Sequence, residues 1–183
     1  MFHRVVRPGL EIRQFQLEDA EETFAAADRN REYLRQWLPW VEHTHCASDV
    51  RTFIEGALAQ HDAGLGPNCA ILLEGNIVGS MGSHRFDLVD RNCSIGYWID
   101  AAAQGRGIIT QCSTTLIDYL FGEAGMHRVE IRCGTGNHRS CAVPERLGFT
   151  REGVLREAQW VSGRWVDLVV WGMLEQEWKS GVR

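Results

Sequence analysis

The segment that bears most on chemistry is Gln104-Gly105-Arg106-Gly107-Ile108-Ile109-Thr110. It lies where an apolar strand signal, Tyr97-Trp98-Ile99, gives way to a helical one. A helix start offers backbone N–H groups with no partner in the helix, at the positive end of its dipole. Such a start holds anions, and glycines let the backbone come close to phosphate oxygens. Arg106 can add charge or point to solvent. The loop is neither a Walker nor a Rossmann phosphate loop, because no Gly-Lys-Ser/Thr follows and Gly107 is followed three residues on by Thr110. A second polar segment, Asn137-His138-Arg139-Ser140, opens another predicted helix, where Asn and Ser bond backbone or ligand.

Other reactive types are less telling. The six cysteines stand at 46, 69, 93, 112, 133 and 141, with no Cys-x-x-Cys pair among them. Cys69, Cys93 and Cys112 read as small core hydrophobes, and Cys133 as a strand residue. His43, His45 and Cys46 lie close together, but no second ligand pair at metal spacing follows, so a polar loop is expected and no metal.

The elements that must position these residues follow from periodicity. Leu10 to Phe15 alternates as a half-buried strand does. Glu18 to Ala27 reads as a helix, and Asn30 as the cap of a short second one stopped by Pro39. Ser48 or Asp49 is the expected cap of a third. Strands are predicted at 69–73, 77–86 and 93–100, as an antiparallel meander. A helix follows over 105–122, then a strand at 128–133 and a helix from Asn137 to Leu147-Gly148. Two final strands flank the Ser162-Gly163 turn. Helices alternate with strands only in the second half. The expected fold is therefore α+β, with a mixed, mostly antiparallel sheet of about seven strands and helices on both faces. With 183 residues and no linker, one domain over 1–183 is expected, with a short flexible tail after about 178.

Composition bounds the partners. There are 19 Lys+Arg against 24 Asp+Glu, a net charge of −5, which argues against nucleic acid and is compatible with a cationic acceptor. No long apolar run or leader-like start is present, so a cytoplasmic protein without membrane contact is expected.

Together, the element order and these segments resemble the GCN5-related N-acetyltransferases (GNAT). Gln104-Gly-Arg-Gly107-Ile-Ile109 is similar to that family's acyl-CoA signature, except that Ile109 replaces a small residue. Asn137 and Gly148-Phe149 match its downstream segment. More narrowly, the chain resembles the RimJ/RimL-type ribosomal-protein N-terminal acetyltransferases from about Trp37 to Leu174.

The resemblance implies acetyl-CoA as cosubstrate. It places the pyrophosphate on the amides of Gln104, Gly105, Arg106, Gly107, Ile108, Ile109 and Thr110. It places the pantetheine arm along the backbone of Tyr97, Trp98 and Ile99, with Asn137 beside it. It implies that Ser140 protonates the departing thiolate and that Cys133 lies near the acceptor. It puts Trp37 and Trp40 on the acceptor side, and His84 is a further candidate for the substrate end. Gln159 stands where the branch can carry a glutamate base, and a glutamine cannot take a proton. Pro144 stands where many members place a tyrosine acid, and it should kink or shorten its helix.

An α-amine, with a pKa of ~7.8, is roughly a third neutral at pH 7.5, so it needs little help from a base. A lysine amine at ~10.4 is only about a thousandth neutral. A water relay to Glu130, Glu157 or His84 would suffice. The expected activity is acetyl transfer by direct attack in a ternary complex, most simply to a protein N-terminal α-amine such as that of a ribosomal protein. A small amine (polyamine, antibiotic or peptide toxin), or an acyl-CoA-binding module with little catalysis, are the alternatives. A homodimer is left open.

Overall fold

In the computed structural model, which describes residues 1–181, eight strands form one sheet in the order β1-β2-β3-β4-β5-β6-β8-β7. The strands are β1 (His3–Arg7), β2 (Leu10–Gln14), β3 (Asn68–Leu73), β4 (Asn76–Asp87), β5 (Asn92–Ile99), β6 (Arg128–Gly134), β7 (Thr150–Val161) and β8 (Arg164–Leu174). The helices are α1 (Ala20–Asp28), α2 (Arg31–Leu34), α3 (Ala47–Asp62), α4 (Ile108–Gly122), α5 (His138–Arg146) and α6 (Glu175–Ser180). Neighbouring strands are antiparallel except β5 and β6, which run parallel. The α+β class holds, with one strand more than the seven expected. The addition is β1, whose His3-Arg4-Val5-Val6-Arg7 has little apolar alternation and is recruited through the Pro8-Gly9 turn.

Helices cover both faces. On one face, Ile108, Cys112, Leu116, Ile117 and Leu120 of α4 pack on Ile12, Ile71, Met81, Ile95, Val129 and Ile131. The spacing of the α4 residues puts them on one stripe, and burying each Leu or Ile contributes about 1.5–3 kcal/mol. On the other face, α1 and α3 pack on Phe15, Ala70, Leu72 and Ile77, while Trp98 packs with Ala26, Leu34 and Val41.

Local details depart from expectation. Cys46, not Ser48 or Asp49, occupies the cap position of α3, and the Asp49 carboxylate reaches back to accept from the Cys46 and His45 N–H groups. Asn30 precedes α2 but makes no capping bond. Its amide donates to the Ala26 carbonyl and accepts from the Ala101 N–H. At the C-terminus, α6 carries the chain through Ser180, with Trp178 buried and its indole donating to Asp118. Of the expected tail, 182–183 lie outside the described residues.

The feature that makes a site is the parting of β5 from β6. They pair only from Asn92↔Arg128 to Ile95↔Ile131. Beyond that point β5 stays on β4 and β6 stays on β8, so the two strands diverge and leave one edge of Gly96–Ile99 without a strand partner.

Candidate active site

A cleft of about 1250 Å³ opens along this divergence. At one end stand Gln104, Gly105, Gly107, Ile108, Ile109 and Thr110; in the middle are Tyr97, Trp98, Ile99, Cys133, Asn137 and Ser140. At the other end are Trp37, Leu38, His84, Arg85, Ser94, Arg132 and Gln159.

The loop end is a strand-to-helix turn built on two glycines. Gly105 and Gly107 take φ of +75° and +71°, a region that costs other L-residues about 1–2 kcal/mol, and Gly107 is the cap residue of α4. The first turn of α4 therefore presents free N–H groups toward the cleft. Ile108 is buried in the core and Ile109 packs against it, so the residue that departs from the signature fills space beside the loop. Of the two orientations open to Arg106, its side chain takes the solvent one: it is exposed and does not line the cleft. Arg139 lines the cleft beside the loop and donates to the Gln104 side chain.

In the middle, the Tyr97–Ile99 backbone pairs with β4 on one side and faces the cleft on the other. The Ile99 carbonyl already accepts from the Tyr33 hydroxyl, so that hydroxyl must share or yield the acceptor to a ligand. The Asn137 side chain accepts from the Ser140 N–H at 3.2 Å, capping α5. The Ser140 hydroxyl then meets the Cys133 thiol at 3.3 Å. Burial pushes the Cys133 thiol up to about 12, so it is a neutral thiol near neutral pH and a poor nucleophile. The Tyr97 hydroxyl donates to the Ser140 carbonyl at 3.2 Å, and burial holds that phenol well above its ordinary range.

Pro144 does not shorten α5, which runs two residues past it to Arg146. Its ring nitrogen cannot donate to the carbonyl four residues back, which is that of Ser140. The Tyr97 hydroxyl supplies the missing donor.

At the far end, residues alternate between faces. Cys133 lies on the α4–α5 face, and Arg132 on the opposite face with Ser94, Gly96 and His84. The His84 ring sits over Gly96, where an added Cβ would come within 3.1 Å of Nε2. Surrounding protein and Arg85 hold its pKa below the usual histidine value, although the ring is reachable from the cleft. Of the three relay candidates only His84 lines the cleft. Glu130 is gripped by Arg132 at 2.5 Å and Arg128 at 3.2 Å, while Glu157 is exposed on β7.

The two expected acceptor tryptophans separate. Trp37 lines the cleft, its ring against Gly134 and Gly136, where any Cβ would approach within 3.1 Å, and beneath the Arg164 guanidinium. Trp40 does not line it. Its ring packs on Trp98 at 6.0 Å, so it braces the helix layer and is corrected to a packing role. Trp160 and Trp165 are both more than half exposed and lean on each other at 5.1 Å.

Tyr33, Leu38, Arg85, Ser94 and Arg132 line the cleft without having been singled out in the sequence, and Arg139 and Arg146 line it as well. No Asp or Glu lines it among the described residues. The overall charge of −5 therefore misreads the site: the acids lie elsewhere, and an acidic lining for a cationic acceptor is not found. No three His, Cys, Asp or Glu converge as a metal site among the described residues, and no helix among them is long and apolar enough to cross a membrane.

Comparison with known proteins agrees with this geometry. The profile of the Acetyltransferase (GNAT) domain matches residues 9–150. A putative ribosomal N-acetyltransferase, YdaF of Bacillus subtilis, is 36% identical over 181 residues, covering 98% of this chain and 99% of that one. The ribosomal-protein-serine acetyltransferase of Escherichia coli is 29% identical, covering 76% and 78%. Among solved structures, a probable acetyltransferase superposes with a TM-score of 0.92 at 36% identity, over 97% of this chain and 99% of that one. The microcin C7 self-immunity acetyltransferase MccE, in complex with acetyl-CoA and AMP, superposes at 0.87 with 26% identity, over 92% and 94%.

Proposed function

Because the chain belongs to the GNAT acetyltransferase family, whose donor is acetyl-CoA, we propose that it acetylates a protein N-terminal α-amine of the ribosomal-protein type. The observation that carries this reading is the cleft lining, which holds His84 and Gln159 but no carboxylate. A lysine amine needs a strong base to be neutral, whereas an α-amine does not. The names of the relatives point the same way. On this reading the enzyme works in the cytoplasm, where ribosomal proteins are made.

The roles follow from position. The N–H groups of Gln104–Thr110 would hold the pyrophosphate, and the free edge of Gly96–Ile99 would align the pantetheine arm and polarise the thioester carbonyl. The acceptor amine enters between β5 and β6 from the face that carries His84 and Arg132. It attacks the thioester carbon directly, forming the amide C–N bond as the C–S bond breaks. His84, neutral because its pKa is depressed, takes the proton lost by the amine, directly or through water. Ser140 gives its hydroxyl proton to the departing thiolate and is re-protonated from solvent. Cys133 is a neighbour of this hydroxyl rather than an acyl carrier, since its thiol stays protonated.

The test is product analysis. A peptide bearing both a free N-terminus and a lysine is incubated with acetyl-CoA, and tandem mass spectrometry locates the acetyl group. Acetylation at the α-amine supports the reading; acetylation at lysine alone contradicts it.

A further inference from the structure

The acceptor end of the cleft has a charge that the chain as a whole lacks. Arg85 and Arg132 line it together, and both also line a small adjoining pit of about 80 Å³ with Arg128 and Glu130. Two of its three arginines, Arg128 and Arg132, are paired with carboxylates. Glu130 is shared by Arg132 and Arg128, and Arg128 also grips Glu152 at 2.5 Å.

Arg85 stands outside this network: its side chain is exposed and makes no hydrogen bond or ion pair among the described residues. It sits at a register slip of β4, between His84 and Asp87, with a φ of +51°. A non-glycine residue in that region is uncommon, and bulges often re-aim a side chain beside a site. Here the irregularity puts an unpartnered guanidinium next to His84, whose pKa it helps to depress.

A guanidinium with no internal partner, in a cleft without carboxylates, favours an oxyanion, which it can bind through two parallel N–H···O bonds. A second cation there would meet only repulsion. The same charge acts on the acceptor itself, since a nearby cation lowers the pKa of an ammonium and raises its neutral, attacking fraction.

We propose that Arg85, with Arg132 beside it, selects acceptor amines that carry an oxyanion close to the amine, most directly an acidic side chain at the second or third residue of a protein N-terminus. This rests on the α-amine reading above and narrows it. The same chemistry would be offered by a phosphate on a small amine.

The experiment compares two pairs of acceptors with the full-length enzyme and saturating acetyl-CoA. One pair is a peptide with Glu at positions two and three against the same peptide with Lys there. The other is phosphoethanolamine against ethanolamine. Hydrogen bonds to charged groups set the expected scale, so kcat/KM for the acidic peptide should exceed that for the basic one by about tenfold or more. Arg85→Gln should erase most of that ratio and Arg85→Glu should invert it, with the KM for acetyl-CoA unchanged in both. A larger ratio for the phosphoethanolamine pair than for the peptides would assign the oxyanion to a small phosphate and overturn the acidic N-terminus as its source. Transfer to α-amines with no charge preference, or a preference that survives Arg85→Glu, overturns the proposal alone. Transfer only to lysine side chains overturns the α-amine reading and the proposal with it.

Discussion

The hydroxyl of Tyr97 donates to the carbonyl of Ser140, the acceptor that Pro144 leaves without its helical N–H. This bond fixes the first turn of α5, on which the Ser140 hydroxyl must be aimed, and it explains how α5 tolerates a proline. Tyr97→Phe should strand that carbonyl and lower kcat by about tenfold, the scale of a buried group left unpaired. Adding Pro144→Ala restores an N–H at the right position. The double variant should therefore recover much of the lost kcat, although Pro144→Ala alone gains nothing. Steady-state kinetics on the four proteins checks this, and an additive double variant would contradict it.

Ser140→Ala removes the hydroxyl while keeping the backbone N–H that Asn137 caps. As general acid–base groups contribute about 10²–10⁴-fold, kcat should fall by at least about 10². Acetyl-CoA affinity, measured by calorimetry, should hardly change. An unchanged kcat would remove the acid role.

Gly107→Glu places a side chain at a φ of +71° and a negative charge where phosphate oxygens would lie. Calorimetry should show acetyl-CoA binding abolished while the far-ultraviolet spectrum persists. Retained affinity would refute the loop as the phosphate site.

His84 gives a pH dependence with a defined sign. Its folded pKa lies below the unfolded value, so the folded state binds fewer protons across that interval. The stability linked to it is present above the unfolded pKa of ~6.5 and is lost as pH falls through the folded value. Activity should show an acid limb at a pH below the ordinary histidine value as the base protonates, separate from the limb of the amine. His84→Gln should abolish the acid limb of kcat/KM, and a limb unmoved by that change would exclude His84 as the base.

Cys133 should behave as a buried neutral thiol. With iodoacetamide at neutral pH, exposed Cys46 should label fast and Cys133 slowly, as peptide mass spectrometry would show. No acetyl-enzyme should accumulate with acetyl-CoA alone.

Much of this site was legible because its chemistry is local. Gly105 and Gly107 announce a strand-to-helix turn, and Asn137 with Ser140 announces a helix start, all within short windows. What was not legible depends on tertiary placement. Trp37 and Trp40 share one Trp-Leu-Pro-Trp segment, and only the packing of Trp40 on Trp98 tells them apart. Arg85 reads as an ordinary residue near the end of the 77–86 strand until the slip in β4 sets it in the cleft. Arg132 is one register step from Cys133, and its role follows only from which face is open. Net charge failed for the same reason: it averages over a surface, whereas the cleft samples a few side chains. β1 was missed because its charged, edge-strand sequence carries almost no period of its own.

The measurement that bears most directly on the central claim is the position of the acetyl group. A single peptide with a free α-amine, acidic second and third residues and an internal lysine is treated with enzyme and acetyl-CoA, then fragmented. One acetyl group is expected on the α-amine, formed in step with CoA release. Acetyl found on the lysine and not on the α-amine would contradict it.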